Sequence, residues 1–237
     1  MRLLIVLFIS LIFFNCEDKQ TKQKTTLPKQ TKQKEEKPEA KEIAIDSSKL
    51  SLEERFLPLN DDNAMDFFLE YEKENQENKV RLVTDKGNID ILLFDTVKFH
   101  RANFIFLVKN KVFDGTQFHR VVKNFVIQGG NSDNRKVLKK RRKIGRYLLP
   151  PDTKRGFKHH RGIISVPSSD IENAYKLASP FEFFITQTNQ YHLDGKYTAF
   201  GRVINGMDVV DKIANVEVDG GDWPVHNVYI QTVEILN

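Results

Sequence analysis

Residues 118–130 read FHRVVKNFVIQGG, and Arg120 and Gln128 stand in this run among Val, Ile and Phe. A guanidinium offers a fork of donors and keeps its charge, while a carboxamide both donates and accepts. Such groups can hold and polarise a bound polar group without making a covalent bond. An arginine paired with a carboxylate for structural reasons would read the same way, and this stretch alone leaves both possibilities open. Other chemistries find no support. The chain has no Gly-rich phosphate loop before a helix, no G-x-S-x-G and no C-x-x-C. His159 and His160 sit between Lys158 and Arg161, a poor setting for a divalent cation, and His119, His192 and His226 lack ligand spacing. No metal and no cofactor is expected.

The elements that position Arg120 and Gln128 read as a hairpin, FHRVV and FVIQGG flanking Lys123-Asn124. Asn tolerates the left-handed conformation of a two-residue turn. Period-2 alternation then puts Phe118, Arg120 and Val122 on one face and His119 with Val121 on the other. A simple register places Gln128 on the His119 face, so a one-residue bulge is needed to bring Arg120 and Gln128 together.

Around the hairpin, KVRLVT and IDILLF flank a Gly-containing turn at 85–88, and VKFHRANFIFLVK (97–109) has helical apolar spacing at Val97, Phe104, Leu107 and Val108. GIISV, FEFFIT, YTAFGRVI and VYIQTVEIL read as further strands, with a short helix at GMDVVDKIA (206–214). Many strands, two helices between them and no βαβ alternation predict a mainly β fold, a closed antiparallel barrel. Before it, Ser51 and Glu54 form a capping-box pattern, and Asp61 or Asp62 is placed to cap a helix carrying Met65, Phe68, Leu69 and Tyr71. Residues 46–78 are therefore expected to be a short helical extension to a domain at 79–237.

The run FHRVVKNFVIQGG, followed by GIISV, FEFFIT and HLDGKYTAFGRVINGMDVVDKI, resembles the cyclophilin family of peptidyl-prolyl isomerases over roughly residues 80–235. The resemblance implies an eight-stranded antiparallel β-barrel capped by two α-helices, and proline-containing polypeptides as partners. It implies that Arg120 is the catalytic guanidinium and that Gln128 supports it and the substrate backbone. Phe125, Val126, Phe184 and Leu193 match the proline pocket, Val126 standing where many members have methionine. Tyr197 stands where histidine is common. His192 takes the place of a tryptophan found in cyclosporin-sensitive members, which implies weak cyclosporin binding. Glu182 replaces a family glutamine that hydrogen-bonds the peptide. As a carboxylate it cannot donate, and it is expected either to pair with Arg120 or to favour substrates with basic flanks. Pro167-Ser168 replaces the family's Ala-Asn, and proline removes one backbone donor. These departures keep open a peptide-binding or chaperone module without turnover.

The N-terminus points to export. MRLLIVLFISLIFFN has one charge at Arg2 and an apolar run from Leu3 to Phe14, the pattern of a signal peptide over residues 1–15. The single cysteine, Cys16, follows at once, where a bacterial lipoprotein carries its lipid. Residues 16–45 are dominated by Lys, Gln, Thr and Glu and read as a flexible tether. The expected location is the bacterial cell envelope, lipid-anchored on a periplasmic or outer-membrane face. The net charge of +5 is local: RKVLKKRRKIGR (135–146) holds eight basic residues and no acid, leaving 20 basic against 26 acidic residues elsewhere in 43–237. Nucleic acid is not an expected partner. The basic segment, read as a loop, is a candidate contact for a polyanion or anionic lipid.

Overall fold

The computed structural model describes residues 50–168 and 173–236. The signal-peptide, Cys16 and tether expectations lie outside the described residues. Eight strands close into an antiparallel barrel: β1 (Lys79–Thr84), β2 (Gly87–Leu93), β3 (Thr116–Val122), β4 (Val126–Asn131), β5 (Ile163–Ser165), β6 (Phe183–Thr186), β7 (Ala199–Asn205) and β8 (Val228–Ile235). Their order around the barrel is β1-β2-β7-β5-β6-β4-β3-β8. Because β1 pairs with both β2 and β8, no edge is left to recruit another strand. The inward rows supply Leu82, Ile91, Phe118, Ile127, Ile164, Phe183, Ile185, Phe200 and Val233 to one core.

Helices α3 (Lys98–Lys109) and α5 (Met207–Ala214) cap the barrel. Phe104 of α3 reaches Phe183 and Phe200, with ring centroids 5.8 and 5.5 Å away. The spacing predicted one apolar face for this helix, but α3 is buried nearly all round, including His100, Arg101, Asn103 and Phe106. The second cover is the N-terminal extension, α1 (Leu52–Phe56) and α2 (Ala64–Glu74). Phe67 and Tyr71 of α2 meet Phe106 at 4.9 and 5.2 Å. Much of the polar lining of α3 is paired: Arg101 donates to Glu72 at 2.9 Å and to the Gln76 carbonyl at 3.0 Å, although its Nε and His100 Nδ1 are buried without a partner. Asn103 donates to the Pro180 carbonyl and accepts from the Tyr147 hydroxyl.

The capping box forms, with Glu54 N–H on Ser51 Oγ and Ser51 N–H on Glu54 Oε2. The second helix departs from expectation. Its N-cap is Asn63, Leu69 is exposed, and Ala64, Phe67, Phe68 and Tyr71 form the buried stripe. The stripe is chosen by Phe106, which no local pattern announces. Asp61, expected as a cap, instead accepts from the Leu148 N–H at 2.8 Å.

The basic segment is not a loop. It forms α4 (Arg135–Ile144), opened by the Asn134 side chain accepting from Lys136 N–H and ended by Gly145 at φ 126°. Val137 and Ile144 are its buried contacts. Among the described residues no helix is long and apolar enough to cross a membrane.

His100 is 2 % exposed, its Nε2 3.0 Å from the Pro150 carbonyl. Burial pushes its pKa down to about 4, against smaller opposing effects of that carbonyl and of Asp152. The unfolded chain binds a proton near pH ~6.5 that the native state refuses. Stability tied to His100 is complete above that pH and declines as the pH falls toward about 4. Denaturant midpoints followed across this window should fall in the wild type and fall less steeply in His100→Gln. An equal slope in the two proteins would exclude His100 as the source.

Candidate active site

The β3–β4 hairpin sets the site. The last paired residues are Val122 and Val126, so the connection is Lys123-Asn124-Phe125, one residue longer than the two-residue turn expected. Asn124 takes the left-handed conformation (φ 61°), and Phe125 N–H closes the turn on the Val122 carbonyl at 3.0 Å. The extra residue alone moves the register so that Arg120 lies opposite Gln128. A bulge is also present, at His119: Phe118 pairs with Gly129 and Arg120 with Gln128, leaving His119 unopposed. Its effect is on faces. Phe118 and Val121 both enter the barrel core, whereas strict alternation had set Phe118 beside Arg120.

Gln128 also lies opposite Phe184 of β6, and Phe184 opposite Ser165 of β5. Cross-strand partners share a face, so Arg120, Gln128 and Phe184 form one row on the outside of the barrel. Glu182 and Phe184 were expected on one face with Phe183 and Ile185 opposite. Phe183 and Ile185 point into the core, and Phe184 joins a separate small cluster with Val126 and Leu193, flanked by Phe125 and Tyr197.

This cluster and the row enclose a cavity of about 110 Å³ lined by Arg120, Phe125, Val126, Gln128, Pro167, Phe184, Leu193 and Tyr197. A water occupies about 30 Å³ of liquid, so the space suits a small ring. His192 stands at the rim, stacked on Phe125 with centroids 5.6 Å apart. Glu182 lies outside this cavity, in an adjoining groove of about 520 Å³ that shares Arg120, Gln128, Pro167 and Tyr197 with it.

The carboxylate beside Arg120 is not Glu182. Asp222 Oδ2 lies 3.2 Å from Arg120 Nη2, both side chains about two-fifths exposed (40 and 42 %). The Asp222 carbonyl accepts from Val121 N–H at 2.8 Å, which ties the 219–223 turn to the strand just past the bulge. The guanidinium also lies over the Phe125 ring, 5.9 Å from its centroid. Glu182 Oε2 accepts from Gln128 Nε2 at 3.0 Å and lies 3.5 Å from His119 Nε2. Burial raises the Glu182 pKa, but His119, Gln128 and Arg141 together outweigh it, so the carboxyl sits below the usual range and stays charged.

Behind Phe184, His159 Nδ1 is 2.9 Å from Asp194 Oδ1 and its Nε2 is 3.1 Å from Ser165 Oγ. The order resembles a nucleophilic triad. Ser165 is fully buried, so no substrate carbonyl can reach it. The network instead backs the pocket, the His159 ring lying parallel to Phe184 at 6.3 Å. Asp222, His119 and this network were not found by sequence reasoning. The two acids of DGGDW mark a turn, but nothing local says that it reaches Arg120. Among the described residues no group of three or more His, Cys, Asp or Glu side chains could hold a metal.

The chain is similar to known proteins. The family model for cyclophilin-type peptidyl-prolyl cis-trans isomerases matches residues 79–235. The chain belongs to this family. A peptidyl-prolyl cis-trans isomerase-like 2 protein of Rhizopus delemar is 34 % identical over 168 residues, which cover 70 % of this chain but 30 % of that longer protein. The isomerase CYP18-1 of Arabidopsis thaliana is 34 % identical over 158 residues, 66 % of this chain and 94 % of its own. A crystal structure of a Cryptosporidium parvum cyclophilin-type isomerase, solved in the presence of the dipeptide Ala-Pro, superposes with a TM-score of 0.56 at 26 % identity, covering 67 % of this chain and 99 % of that one.

In this cyclophilin-type domain Gly130 lets β4 lie close against the Phe181–Glu182 backbone. Its φ is 101°, and an added Cβ would lie 2.4 Å from the Phe181 carbonyl oxygen and 3.2 Å from Glu182 Cα. Gly130→Ala is expected to lower stability by about 1–3 kcal/mol, read from urea midpoints. An unchanged midpoint would mean that β4 and the Phe181 backbone can part freely.

Proposed function

We propose that the domain catalyses rotation about X-Pro bonds of exported polypeptides by non-covalent electrostatic stabilisation at Arg120. The observation that carries this reading is the row Arg120–Gln128–Phe184 bordering an apolar cavity of ring size. An X-Pro bond turns slowly because amide resonance imposes a barrier of about 18–20 kcal/mol. In the twisted amide the prolyl nitrogen regains its lone pair. With the proline ring seated against Phe125, Val126, Phe184 and Leu193, the Arg120 guanidinium donates to that nitrogen. This contact exists in the twisted state and not in the planar one, so it lowers the barrier rather than merely binding. Asp222 keeps the guanidinium aimed across the cavity mouth. Gln128 has its Nε2 engaged by Glu182, which leaves its carbonyl oxygen to accept from the substrate backbone. No nucleophile, metal or cofactor enters. That a related enzyme was crystallised with Ala-Pro supports a small X-Pro unit as the ligand.

The test is a protease-coupled assay on a short X-Pro peptide. Wild type should accelerate cis-to-trans conversion, and Arg120→Ala should lose about a hundredfold in kcat/KM, the usual cost of one transition-state donor. A wild-type rate at background, or one indifferent to Arg120→Ala, would replace this reading with that of a peptide-binding module. Glu182, charged and partly exposed, favours substrates with a basic residue next to the proline. An exposed pair contributes about 0.2–1 kcal/mol, so Glu182→Gln should erase a lysine-over-alanine preference of at most about fivefold.

Export and anchoring rest on Arg2, the run Leu3–Phe14 and Cys16. The chain would be held by lipid at Cys16 on a periplasmic or outer-membrane face, meeting polypeptides as they fold outside the cytoplasm. Radiolabelled palmitate should enter the wild type in a bacterial host and not Cys16→Ala. Equal labelling of the two would remove the anchor.

A further inference from the structure

The exposed face of α4 takes no part in the isomerase site, and the helix is built at a cost. Arg135 and Lys136 occupy its first turn with no acid there, Arg141, Arg142 and Lys143 its last. Cations at a helix N-terminus oppose the macrodipole, and like charges four apart, such as Arg135 with Lys139 and Lys139 with Lys143, repel. Among the described residues none of the α4 cations is paired with a carboxylate. A helix kept only for structure would place Glu or Asp at some of these positions.

The helix is nonetheless held firmly. Val137 and Ile144 are buried against the domain. The Arg141 guanidinium turns inward, donating to the Gly130 carbonyl and lying 5.2 Å from the Phe181 ring. The N-terminal extension clamps the far end: Leu59 N–H donates to the Ile144 carbonyl at 2.7 Å, and Arg146 N–H to the Leu59 carbonyl at 2.9 Å. With these contacts on one side, Arg135, Lys136, Lys139, Arg142 and Lys143 fan over the exposed side. Leu138 stands among them, 38 % exposed. Between α4 and Pro58–Asn60 lies an open cavity of about 470 Å³ that combines Arg142 and Arg146 with Pro58, Leu59 and Leu138.

We infer that α4 and the Pro58–Asn60 segment form a docking face for an anionic lipid bilayer. The cations match headgroup phosphates, while exposed Leu138 and the apolar wall of the cavity match the acyl boundary beneath them. A soluble polyanion rewards the cations but not the leucine and proline. One lipid anchor holds a protein more firmly when joined to a basic patch. The inference is independent of the isomerase reading and shares only the choice of a membrane with the anchor reading.

The experiment is co-sedimentation of the full chain with vesicles of phosphatidylcholine alone and with phosphatidylglycerol added. Binding to neutral vesicles reports the N-terminal apolar segment, and the increment on anionic vesicles reports α4. The increment should fall with added salt. The triple variant Arg135→Gln/Lys139→Gln/Arg142→Gln should reduce it on the order of a hundredfold, with neutral-vesicle binding unchanged. The three side chains are exposed and mutually repulsive, so the variant should melt no lower than wild type and keep its isomerase rate. Were it to misfold, the salt titration of the wild type decides alone. Equal wild-type binding to both vesicle types, or an increment insensitive to salt, overturns the proposal. So does retention on an inorganic polyphosphate column without any anionic-vesicle increment, which would assign the face to a soluble polyanion.

Discussion

Strand register in the β3–β4 hairpin governs everything that the pocket can do. Side chains alternate along a strand, so one residue more or fewer in the connection exchanges inside for outside along a whole strand. Lys123-Asn124-Phe125 supplies the length that sets Arg120 opposite Gln128, and β6 then adds Phe184 to the same row. The bulge at His119 solves the remaining conflict. It lets Phe118 and Val121 both fill the core while Arg120 between them faces out. Polar and apolar requirements on one short strand are thereby met without burying a charge.

The charges around the pocket are divided between two carboxylates that do different things. Asp222 comes from a turn distant in sequence and meets the guanidinium at its exposed side, where water screens the pair and leaves Arg120 able to engage a ligand. Glu182 is more buried and is stabilised by His119 and Gln128 rather than by Arg120. A glutamine at this position could donate as well as accept. The glutamate instead accepts, which orients the Gln128 carboxamide and leaves a negative wall in the neighbouring groove. Behind the pocket the Ser165–His159–Asp194 chain uses the hydrogen bonds of a catalytic triad for packing, because Ser165 and His159 are buried away from substrate.

The described segment that precedes the family match forms a second layer on the barrel. Helix α2 packs on α3 from outside the barrel, which explains why Phe106 and the polar group Arg101 are buried together. The link from Pro58 to Asn60 then continues onto the end of α4. The extension and the basic helix are thus joined through the backbone of Leu59, Ile144 and Arg146.

By itself the sequence determined the strands, the two capping helices, the Ser51–Glu54 capping box and the family. These rest on period, spacing and short motifs, all carried by residues close along the chain. It also named the residues that line the cavity, Arg120, Gln128, Phe125, Val126, Phe184, Leu193 and Tyr197. Tertiary structure decided the rest. The partner of Arg120, the partner of Glu182 and the buried stripe of α2 each depend on a segment far away in the chain. A carboxylate has the same local signature whether it meets an arginine, a histidine or water. Only the closed barrel, by fixing which surfaces touch, selects among them.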